Sequence, residues 1–311
     1  MNLPSVLITD PTEKAINALD GKVECLDWEL GPSRAADIEG MLIFGHAVLN
    51  GPVMDRYPKL KIISNVGVGV DHINVPDAKA RGILVGNTPG VLSAGTADMA
   101  FALLLAAARR LIEGDHYARG PDFLHFNSNY LLGTEVHGKT LGIIGLGRIG
   151  MEIARRGMGF NMRVIYHNRN PKQIDDPAIK ATYVSRDELL EESDFVVVVV
   201  PLNDGTRNLI KWEDFEKMKS SAVFVNIARG GVVDTDAITK ALQTNQIYAA
   251  GLDVTEPEPL PRDHPLLKQT NLVIAPHLGS ATVQTRQAML DLALSNLLNG
   301  LEGKEIVSSV M

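Results

Sequence analysis

Thr140-Leu-Gly-Ile-Ile-Gly-Leu-Gly-Arg-Ile-Gly150 is the stretch whose reading decides the fold. Its apolar first half has the composition of a buried parallel strand. Gly145, Gly147 and Gly150 then fall at G-x-G-x-x-G spacing, where strand must give way to helix. The first glycine suits the tight turn, the second lets backbone approach a diphosphate, and the third lets the new helix lie close on its strand. The N–H groups and dipole at that helix start favour an anion. Bare glycine spacing is weak evidence, since glycine-rich turns occur in other α/β domains. Here a legible strand before it and a helix after it, from Met151 to Gly157 or beyond, support a dinucleotide site.

Downstream, short apolar runs recur between helix-length segments. They begin with Arg163-Val-Ile-Tyr-His-Asn168 and Asp194-Phe-Val-Val-Val-Val-Val200, and continue with Ala222-Val-Phe-Val-Asn-Ile-Ala228, Tyr248-Ala-Ala-Gly-Leu-Asp-Val254 and Leu272-Val-Ile-Ala-Pro276. With the strand before Gly145 they make at least six candidates, as a doubly wound dinucleotide fold expects. Upstream, runs at residues 5–10, 23–26, 41–44, 61–64 and 83–85 alternate with periodic segments and describe a smaller α/β domain. The Ala- and Leu-rich stretch from Ser93 reads as a long buried helix leading from one domain into the next. Its apolar surface is also compatible with a subunit contact. Residues 114–138 read as a surface excursion. A last helix, residues 281–298, is expected to return to the first domain. The expected class is α/β with two doubly wound domains. Residues 97–282 form a Rossmann-type dinucleotide-binding domain, inserted into a flavodoxin-like substrate-binding (catalytic) domain of residues 1–96 and 283–311.

Composition excludes several function classes. The chain has 311 residues, 45% hydrophobic and 22% charged, with net charge −7 and no basic cluster, so nucleic acid and anionic membranes are poor partners. One cysteine, Cys25, rules out an internal disulfide framework and a Cys-rich zinc site, and fits a reducing cytoplasm. No resident metal is expected. The N-terminus lacks the features of a signal peptide, and the longest apolar run, near residues 99–107, is too short to span a membrane.

Which dinucleotide binds depends on the end of the second strand, where NAD-binding domains place an acid on the ribose 2′-hydroxyl. Asn168 stands there, eighteen residues past Gly150 (168 − 150). An aspartate would repel a 2′-phosphate and asparagine does not. Arg169 adds a guanidinium fork able to pair with that phosphate, and Lys172 a second charge. NADP(H) is therefore expected over NAD(H), with NAD(H) still possible.

Chemistry-bearing residues lie at or just past the ends of later strands. Arg229 closes Asn226-Ile-Ala-Arg-Gly-Gly, whose two glycines are expected to free the backbone and turn the guanidinium into a crevice, where its fork suits a carboxylate. Glu258 lies in Asp253-Val-Thr-Glu-Pro-Glu-Pro and His277 in Ala275-Pro-His-Leu-Gly-Ser. A carboxylate beside an imidazole orients the ring and favours its charged form, which makes a proton donor. Taken singly, each also has an ordinary structural reading, and the residues alone leave Glu256 and Glu258 undecided.

Over nearly its full length the sequence resembles the D-isomer-specific 2-hydroxyacid dehydrogenases. The resemblance rests on residues 132–150, Asp194-Phe-Val-Val-Val-Val-Val-Pro-Leu202, Phe224-Val-Asn-Ile-Ala-Arg-Gly-Gly-Val-Val-Asp234, Gly251-Leu-Asp-Val-Thr-Glu-Pro-Glu-Pro259 and Pro276-His-Leu-Gly-Ser-Ala-Thr282. Within that family it is most similar to the glyoxylate/hydroxypyruvate reductases. The resemblance implies that Arg229 binds and polarises a 2-oxo acid, that His277 is the acid/base and that Glu258, not Glu256, is its partner. It implies a cofactor contact at Asp253, towards the nicotinamide carboxamide, and others at Thr96, Arg148, Ile149, Val200, Pro201, Thr206, Ala228 and Gly279. The loop Asn65-Val-Gly-Val-Gly matches the family's carboxylate-binding loop, making Val66, Gly67, Val68 and Gly69 substrate-binding candidates beside Arg229 and His277. The missing acid at Asn168 departs from the NAD-binding pattern. A small 2-oxo or 2-hydroxy acid substrate and a homodimer are implied. Other readings are a 2-ketogluconate reductase, a 3-phosphoglycerate-type dehydrogenase, or a non-catalytic nucleotide-sensing scaffold of the corepressor type.

Overall fold

The computed structural model describes residues 3–310, and the chain divides into two compact units, Met1–Leu92 with Thr282–Met311, and Ser93–Ala281. The first crossing lies four residues before the boundary read from sequence (97 − 93), because the helix Ser93–Ala108 starts at Ser93 and carries Thr96 with it. At the second crossing Thr282 caps the last helix, Val283–Leu301, by accepting from the Thr285 amide, so it goes with that helix.

Among the described residues the first unit holds one parallel sheet: β1 (Ser5–Ile8), β2 (Glu24–Asp27), β3 (Ile38–Ile43), β4 (Ile62–Asn65) and β5 (Leu84–Gly86), in the order β2-β1-β3-β4-β5. This is the flavodoxin-like order. Every residue of β1 and β4 is buried, as strands covered by helices on both faces must be. The helix Val283–Leu301 packs on β3, β4 and β5, and Ser64 bonds to its Ala293 carbonyl at 2.7 Å.

The second unit is a seven-stranded parallel sheet: β6 (Thr140–Ile144), β7 (Arg163–His167), β8 (Ala181–Tyr183), β9 (Phe195–Val198), β10 (Val223–Asn226), β11 (Ala249–Leu252) and β12 (Leu272–Ile274). The order β12-β11-β10-β9-β6-β7-β8 extends the dinucleotide-fold order by one strand, with the reversal between β6 and β9. The sequence reading lacks β8, three partly exposed residues at the sheet edge.

The helix Ser93–Ala108 packs on β10, β11 and β12 and on the helix Arg148–Gly159, burying Phe101, Leu103 and Leu104. At about 1.5–3 kcal/mol for each large side chain, this accounts for its composition without a subunit contact. Several exposed apolar side chains follow it, among them Leu111, Leu124, Phe126 and Leu132. Among the described residues, no helix is long and apolar enough to cross a membrane.

Candidate active site

In a parallel sheet every strand delivers its following loop to the same edge, and ligands bind where the strand order reverses. The glycine loop leaves β6 at that reversal. Gly145 has φ +108°, and a Cβ there would lie 2.8 Å from Val200 Cγ1. A Cβ on Gly150 would collide with the Gly145 carbonyl oxygen, so this residue sets the helix's close approach. A Cβ on Gly147 would meet nothing within 4 Å. Its missing side chain serves no contact within the protein, as expected where backbone must lie against a ligand. Gly147 is also the N-cap of the helix Arg148–Gly159 and offers no capping side chain, so the first-turn amides remain available to an anion. These residues fit a dinucleotide diphosphate. Arg148 is exposed and Ile149 half-buried at that helix start.

Beyond β7, Asn168 accepts the Leu146 amide on Oδ1 at 2.7 Å, which fixes its side chain against the glycine loop and leaves Nδ2 as a donor. Arg169 is exposed and forms no ion pair among the described residues. Past β9, Thr206 donates to the Pro201 carbonyl (2.6 Å) and accepts the Asn203 amide (2.9 Å), which closes the loop carrying Pro201.

Arg229, Asp253 and His277 follow three adjacent strands, β10, β11 and β12, whose last residues Asn226, Leu252 and Ile274 are in register. Arg229 and His277 each lie three residues past a strand end, on the same edge of the sheet. Asn226 builds the Arg229 turn: its Oδ1 accepts the Ala228 amide, its Nδ2 donates to the Arg229 carbonyl, and its own carbonyl accepts the Asp253 amide. The guanidinium Nη1 donates to the Ala228 carbonyl at 3.0 Å. The two glycines after Arg229 open a short 3-10 turn, Gly230–Val232. Neither has positive φ, and a Cβ on Gly230 would collide with the Thr255 carbonyl, so the first of them is there for close packing of two loops.

Asp253 is buried, and its carboxylate accepts the Leu278 amide at 2.6 Å and the Gly279 amide at 2.7 Å, while its carbonyl accepts the His277 amide at 2.8 Å. It thereby clamps the turn that holds His277 in the left-handed region, φ +57°. Burial pushes this carboxyl above its usual range, and the two amides pull it partly back. A Cβ on Gly279 would lie 3.0 Å from Asp253 Oδ2 and 3.4 Å from Thr96 Cγ2, so Thr96, Asp253 and Gly279 are neighbours. His277 Nδ1 lies 2.8 Å from Glu258 Oε1, with both side chains about one-third exposed (31% and 34%). Glu256 instead faces Arg207 at 3.8 Å.

In the first unit, the loop after β4 has its carbonyls tied back. Asn65 Nδ2 donates to Gly67 O (3.1 Å) and Gly69 O (3.0 Å), Asn87 Nδ2 to Val68 O (2.9 Å), and the Thr88 amide to Gly67 O (3.0 Å). The Val66 amide is spent on Ile43 O. Among the described residues, those of Gly67, Val68 and Gly69 donate to no protein acceptor. Three amides left open beside pinned carbonyls suit an anion. Sequence reasoning missed Asn65 and Asn226 as organisers. A polar residue ending an otherwise apolar strand is the one signal that marks them.

Two parallel doubly wound sheets, one with a glycine loop at its reversal point, define a dinucleotide-dependent α/β protein. The chain belongs to the D-isomer specific 2-hydroxyacid dehydrogenase family, whose NAD binding domain model matches residues 101–279, and it is an NAD(P)-dependent oxidoreductase. It is 42% identical over 305 residues to a glyoxylate reductase of Korarchaeum cryptofilum, covering 95% of this chain and 92% of that one. It is 44% identical over 270 residues to glyoxylate/hydroxypyruvate reductase B of Escherichia coli, covering 86% and 83%. Among solved structures, an NADPH-dependent glyoxylate/hydroxypyruvate reductase from Sinorhizobium meliloti, in complex with NADP and malonate, superposes with TM-score 0.90. That match has 33% identity and covers 99% of this chain and 96% of that one.

Proposed function

We propose that this protein reduces small 2-oxo acids, glyoxylate and hydroxypyruvate, to D-2-hydroxy acids and prefers NADPH. The observation that carries the proposal is the 2.8 Å His277–Glu258 pair on the same sheet edge as Arg229. When bound, the reduced nicotinamide supplies the hydride. His277 supplies the proton: with Nδ1 held by Glu258, the transferable proton sits on Nε2, and the carboxylate stabilises the ring while charged. Arg229 stabilises the negative charge that grows on the carbonyl oxygen. The loop of Val66, Gly67, Val68 and Gly69 is the proposed carboxylate-binding element, and its unspent amides support that reading. The NADPH preference rests on Asn168 and the uncommitted guanidinium of Arg169, and the NADPH dependence of the S. meliloti relative agrees.

Initial rates over a panel of glyoxylate, hydroxypyruvate, pyruvate, 2-ketogluconate and 3-phosphohydroxypyruvate, each with NADPH and NADH, test the proposal. The first two substrates with NADPH are expected to give the highest kcat/KM. A maximum at either of the last two would replace the substrate assignment, and an NADH maximum the cofactor assignment.

A further inference from the structure

We propose that His46, Asp71 and His72 form a binding site for a late first-row divalent cation of the Zn2+ class. One ligand atom from each residue lies within 4.8 Å of the others. The chain brings them together because His46 follows β3 and the Asp71-His72 pair follows β4, its parallel neighbour. The Leu49 amide donates to the His72 carbonyl at 2.8 Å, and Leu49 bridges Ile73, so the two segments run side by side. The imidazole rings meet edge-on, with centroids 5.4 Å apart.

Hydrogen-bond logic assigns the His72 tautomer. Asn65 Nδ2 is committed as donor to two carbonyls, so its Oδ1 faces His72 Nε2, at 3.1 Å, as an acceptor. Nε2 must then carry the proton. Nδ1 carries the lone pair and is the ligand atom this ring can offer. An imidazole oriented through its other nitrogen is the usual support for a metal-bound histidine. Two imidazoles and one carboxylate favour zinc and its neighbours over Mg2+ or Ca2+, and three protein ligands leave a fourth tetrahedral position for water. Bonds of about 2.0–2.1 Å require ligand atoms about 3.3 Å apart. Binding the cation would draw the exposed His46 and Asp71 side chains towards buried His72, in exchange for the contacts they make without it. Sequence spacing hides the site, since twenty-five residues separate His46 from Asp71 (71 − 46).

Asn65 also holds the carbonyls of Gly67 and Gly69, so a bound cation would stiffen that loop through His72. An effect of that stiffening on substrate binding, unlike the cation binding itself, rests on the loop being the carboxylate-binding element. The test is isothermal titration of the full chain with ZnCl2, without cofactor or substrate, so its outcome does not depend on the proposed activity. One equivalent is expected to bind, with no heat from MgCl2. His46→Ala and Asp71→Ala should each weaken binding at least as much as loss of an outer partner does, about 10–100-fold, while circular dichroism stays unchanged. Glu258→Gln should bind as wild type. No Zn2+ uptake by the wild type overturns the proposal. So does undiminished uptake by Asp71→Ala, or loss confined to Glu258→Gln, which would place the cation at the His277 pair.

Discussion

Asp253→Asn puts the architecture of the site to a quantitative test. The carboxylate accepts two backbone amides, from Leu278 and Gly279, and is buried. Asparagine retains one acceptor oxygen and turns its amide group against the other N–H. One charge-assisted bond is lost, about 1.5–3 kcal/mol, partly offset by removal of a buried charge, for a net cost of about 2 kcal/mol. For a domain of this size that lowers Tm by about 4–8 °C. The same change loosens the turn holding His277, and a displacement of about 1 Å at a reacting group costs about a hundredfold in rate. Stability also acquires a signed pH dependence. Burial raises this carboxyl's pKa above the ordinary 3.8, so the folded protein holds a proton that the unfolded chain has released. That stabilisation is complete below the ordinary value and is lost as pH rises through the folded value. Urea unfolding across this range should show the wild-type advantage over Asp253→Asn shrinking as pH rises, and the variant should lack this component. A variant matching wild type in Tm and kcat, with the same pH dependence, would refute the clamp.

Four other substitutions separate the remaining parts. Arg169→Ala should raise the KM for NADPH by about 10–100-fold, the worth of one charge-assisted bond to a phosphate, with little change for NADH. An equal effect on both would remove Arg169 from specificity. Gly147→Ala should leave Tm within about 1–2 °C, because its Cβ enters open space, yet weaken dinucleotide binding in a fluorescence titration. Unchanged binding would show that no ligand lies against that backbone. Gly230→Ala should lower Tm by about 10 °C or more, because its Cβ overlaps the Thr255 carbonyl. Gly231→Ala, facing the movable ends of the Arg207 and Glu256 side chains, should be milder, and the reverse order would contradict the packing.

Much of the fold was legible because its central strands are fully buried and read as short, mostly apolar runs without alternation, as Phe195–Val198 and Val223–Asn226 do. The strand Ala181–Tyr183 was not, being short, partly exposed and at an edge where tertiary pairing outweighs composition. The helix Leu111–Arg119 has no buried residue and so no apolar stripe to read. The positions of Arg229 and His277 at strand ends could be read from motifs. The packing role of Gly230 could not, because it acts on the Thr255 carbonyl of another loop, whereas Asn65 and Asn226 act on their own turns and are marked only as polar residues ending apolar strands. Gly230 shows the limit: a glycine after an arginine at a strand end suggests a turn, which is present, but its close packing on the Thr255 carbonyl is not written in the local sequence.

The most direct measurement follows absorbance loss from NADPH with glyoxylate for the wild type and for His277→Ala, with cofactor affinity measured in parallel. The wild type should turn over and the variant should be slower by about 10²–10⁴-fold, the usual worth of a positioned acid, while still binding NADPH. Turnover by His277→Ala at the wild-type rate, or a wild type inert towards every 2-oxo acid in the panel, would contradict the central claim.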